Sequence, residues 1–268
     1  MATDVDLASL LSDSELNVHG RLVDSSNNAL VVDVANPQDS TPVVAVYKPA
    51  AGEQPLWDFP DTALARREVA AYTLAQGLGW QIVPLTVWRE DGPAGPGMCQ
   101  LWIDTATTDD YVNLFPAADV PDSWHHILQG RDEHDQAVIL AHSDDDALRR
   151  LVAFDVIANN ADRKAGHLLL SASTPSGQLW GIDHGLTFHT EPKLRTVLWG
   201  FAGQPLPPWL LDDLTTFIDN SVRHGSILAE HLTANEVAAT FKRATELLES
   251  GKFPGPTNDG PAVPWPVF

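Results

Sequence analysis

Asp162, His167 and Asp183 have the residue types and spacing best suited to chemistry in this chain. Asp162 and His167 lie five positions apart in "NNADRKAGHLLL", where asparagines, an Asp-Arg-Lys triplet, a glycine and a histidine crowd against an apolar run. A plain turn needs only one or two such residues. Asp183 follows in "GIDHG", 21 positions after Asp162. "HLLLSAS" and "QLWGID" read as a β-hairpin closing across residues 175–177. A hairpin sets its two ends side by side, so the three side chains can converge. Two carboxylates and an imidazole around one point suit a divalent cation or a proton-transfer site.

Two further residues extend the set. Lys48 ends an apolar strand, "VVAVYKP", and Glu68 lies on the helix that follows, "TALARREVAAYTLAQGLG". A strand-borne lysine held by a helix-borne glutamate is an arrangement that grips nucleotide phosphates. Asp162 would then orient or deprotonate an accepting hydroxyl, and Arg163 or Lys164 would balance a negative ligand. Taken singly, each residue has a plainer reading. Lys48 can blunt a strand edge, and Asp162 or Asp183 can serve a turn. The order Lys, Glu, Asp-Arg, Asp, at separations of 20, 94 and 21, favours the joint reading.

The elements that must position these residues are legible in outline. Residues 16–23, 29–35 and 43–48 read as antiparallel strands, with a lead-in helix over 7–16. Two more strands flank the turn "DGPAGP" after the Glu68 helix. From residue 104 the character changes, which places a strand-rich N-lobe at 1–103 and a mainly helical C-lobe at 104–268. A cleft between such lobes is a natural ligand site. Residues 105–146 are rich in Asp and His and are expected to hold no long strand; 122–146 reads as a solvated, mobile loop. "DDDALRRLVAFDVIANNA" is a helix stopping near Asn159, with Leu148, Leu151, Val152 and Asp155 on one face. Stretches 209–222 and 234–249 are helical, the second capped by Thr233 or Asn235 and ended by Gly251. The proline-rich tail is expected to be extended.

Composition narrows the function classes. The 268 residues carry 16 Lys plus Arg against 36 Asp plus Glu, a formal charge of −20. Such a surface repels phosphate backbones and anionic lipid heads, so neither nucleic-acid binding nor stable membrane association is expected. The N-terminus lacks a positive region and an apolar core, so no signal peptide is expected. A single cysteine, Cys99, excludes an intrachain disulfide and fits a cytoplasmic setting.

With these residues in view, the chain up to its tail resembles the phosphatidylinositol 3-/4-kinase-like family of the protein-kinase-like superfamily, and looks particularly like the type II phosphatidylinositol 4-kinases and their actinobacterial relatives. The resemblance implies an α+β, two-lobed protein-kinase-like fold and an ATP-dependent kinase. It implies Lys48 in "VYKP" as the phosphate lysine, Glu68 in "RREVAAY" as its partner, Asp162 and Arg163 as the catalytic pair, and Asp183 in "IDHGLTF" as a metal ligand. Backbone groups of Gln100, Leu101, Trp102 and Ile103 would hold the adenine at an interlobe hinge. Two departures stand out. His167 stands where the family places an asparagine as second metal ligand; as a ligand it brings Mn²⁺ in beside Mg²⁺, and as the alternative it hydrogen-bonds a phosphate. The covering turn "DSSNN" has no glycine, leaving Ser25 and Ser26 to meet phosphate. These departures keep open a nucleotide-binding regulatory module without turnover, and inverted nucleotide binding keeps open AMP transfer. The expected acceptor is a hydroxyl of a soluble small molecule or a protein.

Overall fold

The computed structural model describes residues 4–22, 28–37, 41–51, 53, 59, 64–172, 177–257 and 260–268, without the side chains of 4–6. Ser25 and Ser26 lie outside the described residues. The chain opens with α1 (Asp4–Asp13), β1 (Leu16–Arg21), β2 (Leu30–Val34) and β3 (Val43–Pro49), then α2 (Leu64–Gly77), β4 (Thr86–Arg89) and β5 (Gly97–Leu101). The five strands form one antiparallel sheet in the order β1-β2-β3-β5-β4. Helix α1 starts and ends earlier than the expected 7–16. Arg89 ties it to the sheet by donating to the carbonyls of Leu11 and Ser14, the groups a helix leaves unpaired at its end.

Strand β3 shows why Lys48 faces α2. Side chains alternate along a strand. Ala45 and Tyr47 are buried with Leu11, Val32, Val34 and Cys99 on one face. Lys48 therefore takes the other face, directly opposite Met98 of β5. Met98 packs there with Ala65 and Val69 of α2.

The remainder comprises β6 (Thr105–Ala106), β7 (Val112–Pro116), β8 (His125–Arg131), β9 (Ala137–His142), α3 (Asp146–Ala158), β10 (Leu168–Ser171), β11 (Leu179–Gly181), α4 (Pro208–Asp219), α5 (Ser221–Leu228) and α6 (Ala234–Ser250). Strands β10 and β11 pair antiparallel as the expected hairpin, with β6 on the outer side of β10. The main core joins the end of α2 to α3, α4 and α6 through Leu74, Leu151, Phe154, Leu214, Phe217 and Leu247.

The expectations of no long strand over 105–146 and of a loop over 122–146 are overturned. β7, β9 and β8 form a three-stranded antiparallel sheet. The "DEHD" acids and histidine serve its hairpin turn. Asp132 Oδ1 accepts from the amides of His134 and Gln136, and Asp135 takes a left-handed φ of 62°. The expected helix over 209–222 is also divided, ending as α4 before Asn220, with α5 beginning at Ser221. Helix α6 is capped by Thr233 in a capping box with Glu236, and Gly251 ends it at φ 62°.

Two polar contacts join α2 and its continuation to the helical core. Arg67 donates from Nη2 to Glu236 Oε1 at 2.9 Å, a pair of two buried side chains. Trp80 Nε1 donates to Asp213 Oδ2 at 2.8 Å.

Candidate active site

Lys48 is the centre of the cleft. Its Nζ stands 2.6 Å from Glu68 Oε1 and 2.9 Å from Asp183 Oδ1. Burial opposes its charge, but Asp183 and Glu68 outweigh burial and hold the ammonium well above its ordinary pKa. Glu68 is fixed from a second side, where its Oε2 accepts the backbone N–H of His184 at 2.9 Å. One carboxylate thus holds the lysine and the segment carrying Asp183.

Asp183 has a left-handed φ of 58°, an uncommon conformation for a residue with a side chain. Its side chain is 47% exposed and faces a shallow recess, open to solvent and lined by Lys48, Pro49, Glu53, Leu64, Glu68 and Gly185. Lys48 first, and His167 with it, hold the Asp183 carboxyl well below the usual carboxylate range against the effect of burial. At the recess wall the Glu53 carboxylate accepts the amides of Leu64 and Ala65, capping the start of α2.

His167 Nε2 lies 3.3 Å from Asp183 Oδ2. Burial pushes its pKa down to about 4, with Asp183 opposing, so the imidazole is neutral at pH 7. Its Nδ1 is buried without a partner among the described residues, so the Asp183 carboxylate favours the ring proton on Nε2, and Nε2 offers a lone pair to a cation only once that proton moves to Nδ1. A neutral imidazole and an ionised carboxylate converging this way fit Mn²⁺ or Mg²⁺ as two of the ligands. Among the described residues no group of three or more His, Cys, Asp or Glu is set to hold a metal, so phosphate oxygens and water would complete the shell.

Asp162 pairs with Lys164, whose Nζ is 3.2 Å from its Oδ2, and lies near enough to feel the charge of Asp183. Burial raises its pKa, with Lys164 pulling the other way. The two asparagines before it are scaffolding. Asn159 ends α3 at a left-handed φ of 53° and donates from Nδ2 to the carbonyls of His189 and Glu191. Asn160 donates to Asp155 Oδ1 and accepts the Asp162 amide on its own Oδ1, both at 2.9 Å.

Arg163, expected to face the cleft, is instead fully buried and points away from it. Its guanidinium makes a two-pronged pair with Asp155, Nε to Oδ2 and Nη2 to Oδ1, each 2.9 Å. Nη1 donates to Ile182 O at 3.1 Å and to His167 O at 3.3 Å, and Nη2 also meets His184 Nε2 at 2.7 Å. The imidazole of His184 must accept there, and burial, reinforced by Arg163, keeps it neutral. Arg163 therefore joins the Asp162 loop to the backbone before Asp183. Gly181 permits this, because a Cβ there would lie 3.0 Å from Arg163 Nη2 and from Leu151 Cδ2.

The expected adenine-side residues are largely committed within the sheet. The Leu101 and Trp102 amides donate to Leu85 O and Val44 O, and the Gln100 side chain donates to Thr86 Oγ1. Ile103 lies two residues past the end of β5. Sequence reasoning missed Asp155 as a partner. Its signal was a lone carboxylate in the apolar stripe of α3, a position that demands a buried cation.

No protein-family model matches the chain. A solved structure of hydra Fam20 with sugar aligns over 93% of this chain and 90% of its own at a TM-score of 0.54 and 13% identity, which shows a shared α+β fold. The Helicobacter pylori proinflammatory kinase CtkA aligns over 91% of this chain and 94% of its own at a TM-score of 0.47 and 12% identity. Protein Rv2133c of Mycobacterium tuberculosis is 43% identical over 276 residues, covering 98% of this chain and 96% of that protein. With so much of both sequences shared, the chain belongs to the same family as Rv2133c.

Proposed function

We propose that this protein is an ATP-dependent phosphotransferase acting on a hydroxyl of a soluble small molecule or a protein, in a branch similar to the phosphatidylinositol 3-/4-kinase-like family. Its two lobes would divide at residues 103 and 104. The observation carrying this reading is the meeting of Lys48 with both Glu68 and Asp183.

Lys48 has three N–H donors, and Glu68 and Asp183 take two. The third is left for a nucleotide phosphate oxygen. Asp183 and His167 would hold the divalent cation, which offsets phosphate charge when bound. Asp162 aligns the acceptor hydroxyl and takes its proton as the new O–P bond forms and the bond from the γ-phosphorus to the ADP oxygen breaks. Lys164, paired with Asp162, would balance charge on the negative ligand. Arg163 acts through others, holding the Asp162 loop and the Asp183 backbone in one frame.

The test is ATP turnover with Mg²⁺ or Mn²⁺ in the intact protein and in Asp162→Asn and Asp183→Asn variants. Each variant should lose activity by about 100-fold or more. Equal rates in all three proteins would overturn the reading. Commitment of the Leu101 and Trp102 amides to the sheet favours a second reading, a nucleotide-binding regulatory module. Calorimetric binding of nucleotide with no turnover would select it. Transfer of AMP instead of phosphate shows in the mass added to the acceptor.

A further inference from the structure

The proline-rich tail reaches the Asp162 loop. Val267 O accepts the Ala165 amide at 2.8 Å, three residues past Asp162. Ala262 O accepts both the Thr196 amide at 3.1 Å and Trp199 Nε1 at 2.8 Å. Thr196 is itself bridged to Arg163, with the Arg163 amide donating to Arg195 O and the Val197 amide to Arg163 O, each at 3.0 Å. The loop thus lies between residues 195–197 and residues 262–267. Val263 and Val267 anchor the tail by packing on the main core. A Cβ added to Gly166 would lie 3.5 Å from the Phe268 backbone, so the tail runs in van der Waals reach of the loop.

We propose that residues 260–268 are a positioning element of the active centre, clamping the loop that carries Asp162. This rests on the phosphotransferase reading for its kinetic consequence but not for its structural one. Ala165 is buried at the first position of a single 3₁₀ turn, Ala165–His167, where its amide has no acceptor within the turn and is taken by Val267 O. A loop released there lets Asp162 drift from alignment, and small misplacements of a reacting group are costly in rate.

The experiment compares the full chain with a chain ending at residue 259 and with Trp199→Phe, which removes one anchor bond and keeps the ring. Hydrogen exchange over residues 162–167 should quicken in both, with β2 and β3 unchanged. Turnover of ATP should fall by about tenfold in the shortened chain, with calorimetric nucleotide affinity unchanged within about twofold. A synthetic peptide of residues 260–268 should restore both loop protection and turnover. Unchanged exchange over 162–167 in the variants overturns the clamp, as does loss of turnover with the loop still protected. If the shortened chain does not fold, Trp199→Phe alone decides by the same exchange readout. Absence of turnover in the full chain would defeat the phosphotransferase reading, while exchange would still judge the clamp.

Discussion

The ammonium of Lys48 and the carboxylate of Asp183 are 135 residues apart in sequence and 2.9 Å apart in space. Lys48→Met should lower ATP turnover by about 100-fold or more, and Lys48→Arg should not restore it, because a broad guanidinium cannot replace a compact ammonium at that distance from two carboxylates. Steady-state kinetics on both variants checks this.

In the proposed phosphotransferase His167 would set the metal preference. An imidazole nitrogen suits Mn²⁺ better than Mg²⁺. His167→Asn should raise Mg²⁺-supported turnover relative to Mn²⁺-supported turnover, and the ratio measured at saturating metal is the readout. A ratio unmoved by the substitution would remove His167 from the ligand set.

Arg163 should matter for folding as much as for rate. Its charge is wholly buried against Asp155. Arg163→Met leaves that carboxylate unpaired in the interior, which should cost about 3–5 kcal/mol in urea unfolding. Asp162→Asn, one residue away, should leave the unfolding midpoint nearly unchanged.

Acid should weaken the fold in part through His142. Its Nδ1 meets Ser143 O, its Nε2 accepts the Gly200 amide, and His125 and Phe201 pack on its ring. Burial pushes its pKa down to about 4, with the Ser143 contact opposing. The unfolded chain therefore takes the proton first as pH falls. The contribution is complete above about pH 6.5 and is lost between there and about 4, at most on the order of 3 kcal/mol. Urea midpoints across that window should fall less steeply in His142→Gln.

The cap and the ion pair at the start of α6 can be separated. Thr233→Ala removes the cap and should cost about 1 kcal/mol. Glu236→Gln keeps a capping acceptor but strands the Arg67 charge, whose Nε and Nη1 already lack partners among the described residues, and should cost about 3 kcal/mol. Chemical denaturation of both variants distinguishes them.

Much of this site was legible because its residues sit at element ends with turn chemistry around them. Lys48 and Glu68 followed from a strand and an adjacent helix, and the hairpin brought Asp183 back toward Asp162. Arg163 was misplaced because sequence shows a cation beside Asp162 but not the buried Asp155 that draws it inward. The sheet of β7, β8 and β9 was hidden for a different reason. Its "HHILQGR" and "AVILAH" strands alternate acceptably, but the polar residues of the turn between them dominated the local composition. The tail's contacts were invisible, since carbonyl acceptors such as Val267 O and Ala262 O carry no side-chain signature. The donors committed around Leu101 likewise depend on backbone pairing that composition does not record.

The pair of Arg67 and Glu236 has an evolutionary consequence. The two residues are 169 positions apart. Arg67 precedes the glutamate that grips Lys48, and Glu236 also secures the start of α6. Neither can drift alone without leaving a buried charge bare. Across relatives of this chain the two positions should therefore be inherited as a unit, changing together or not at all.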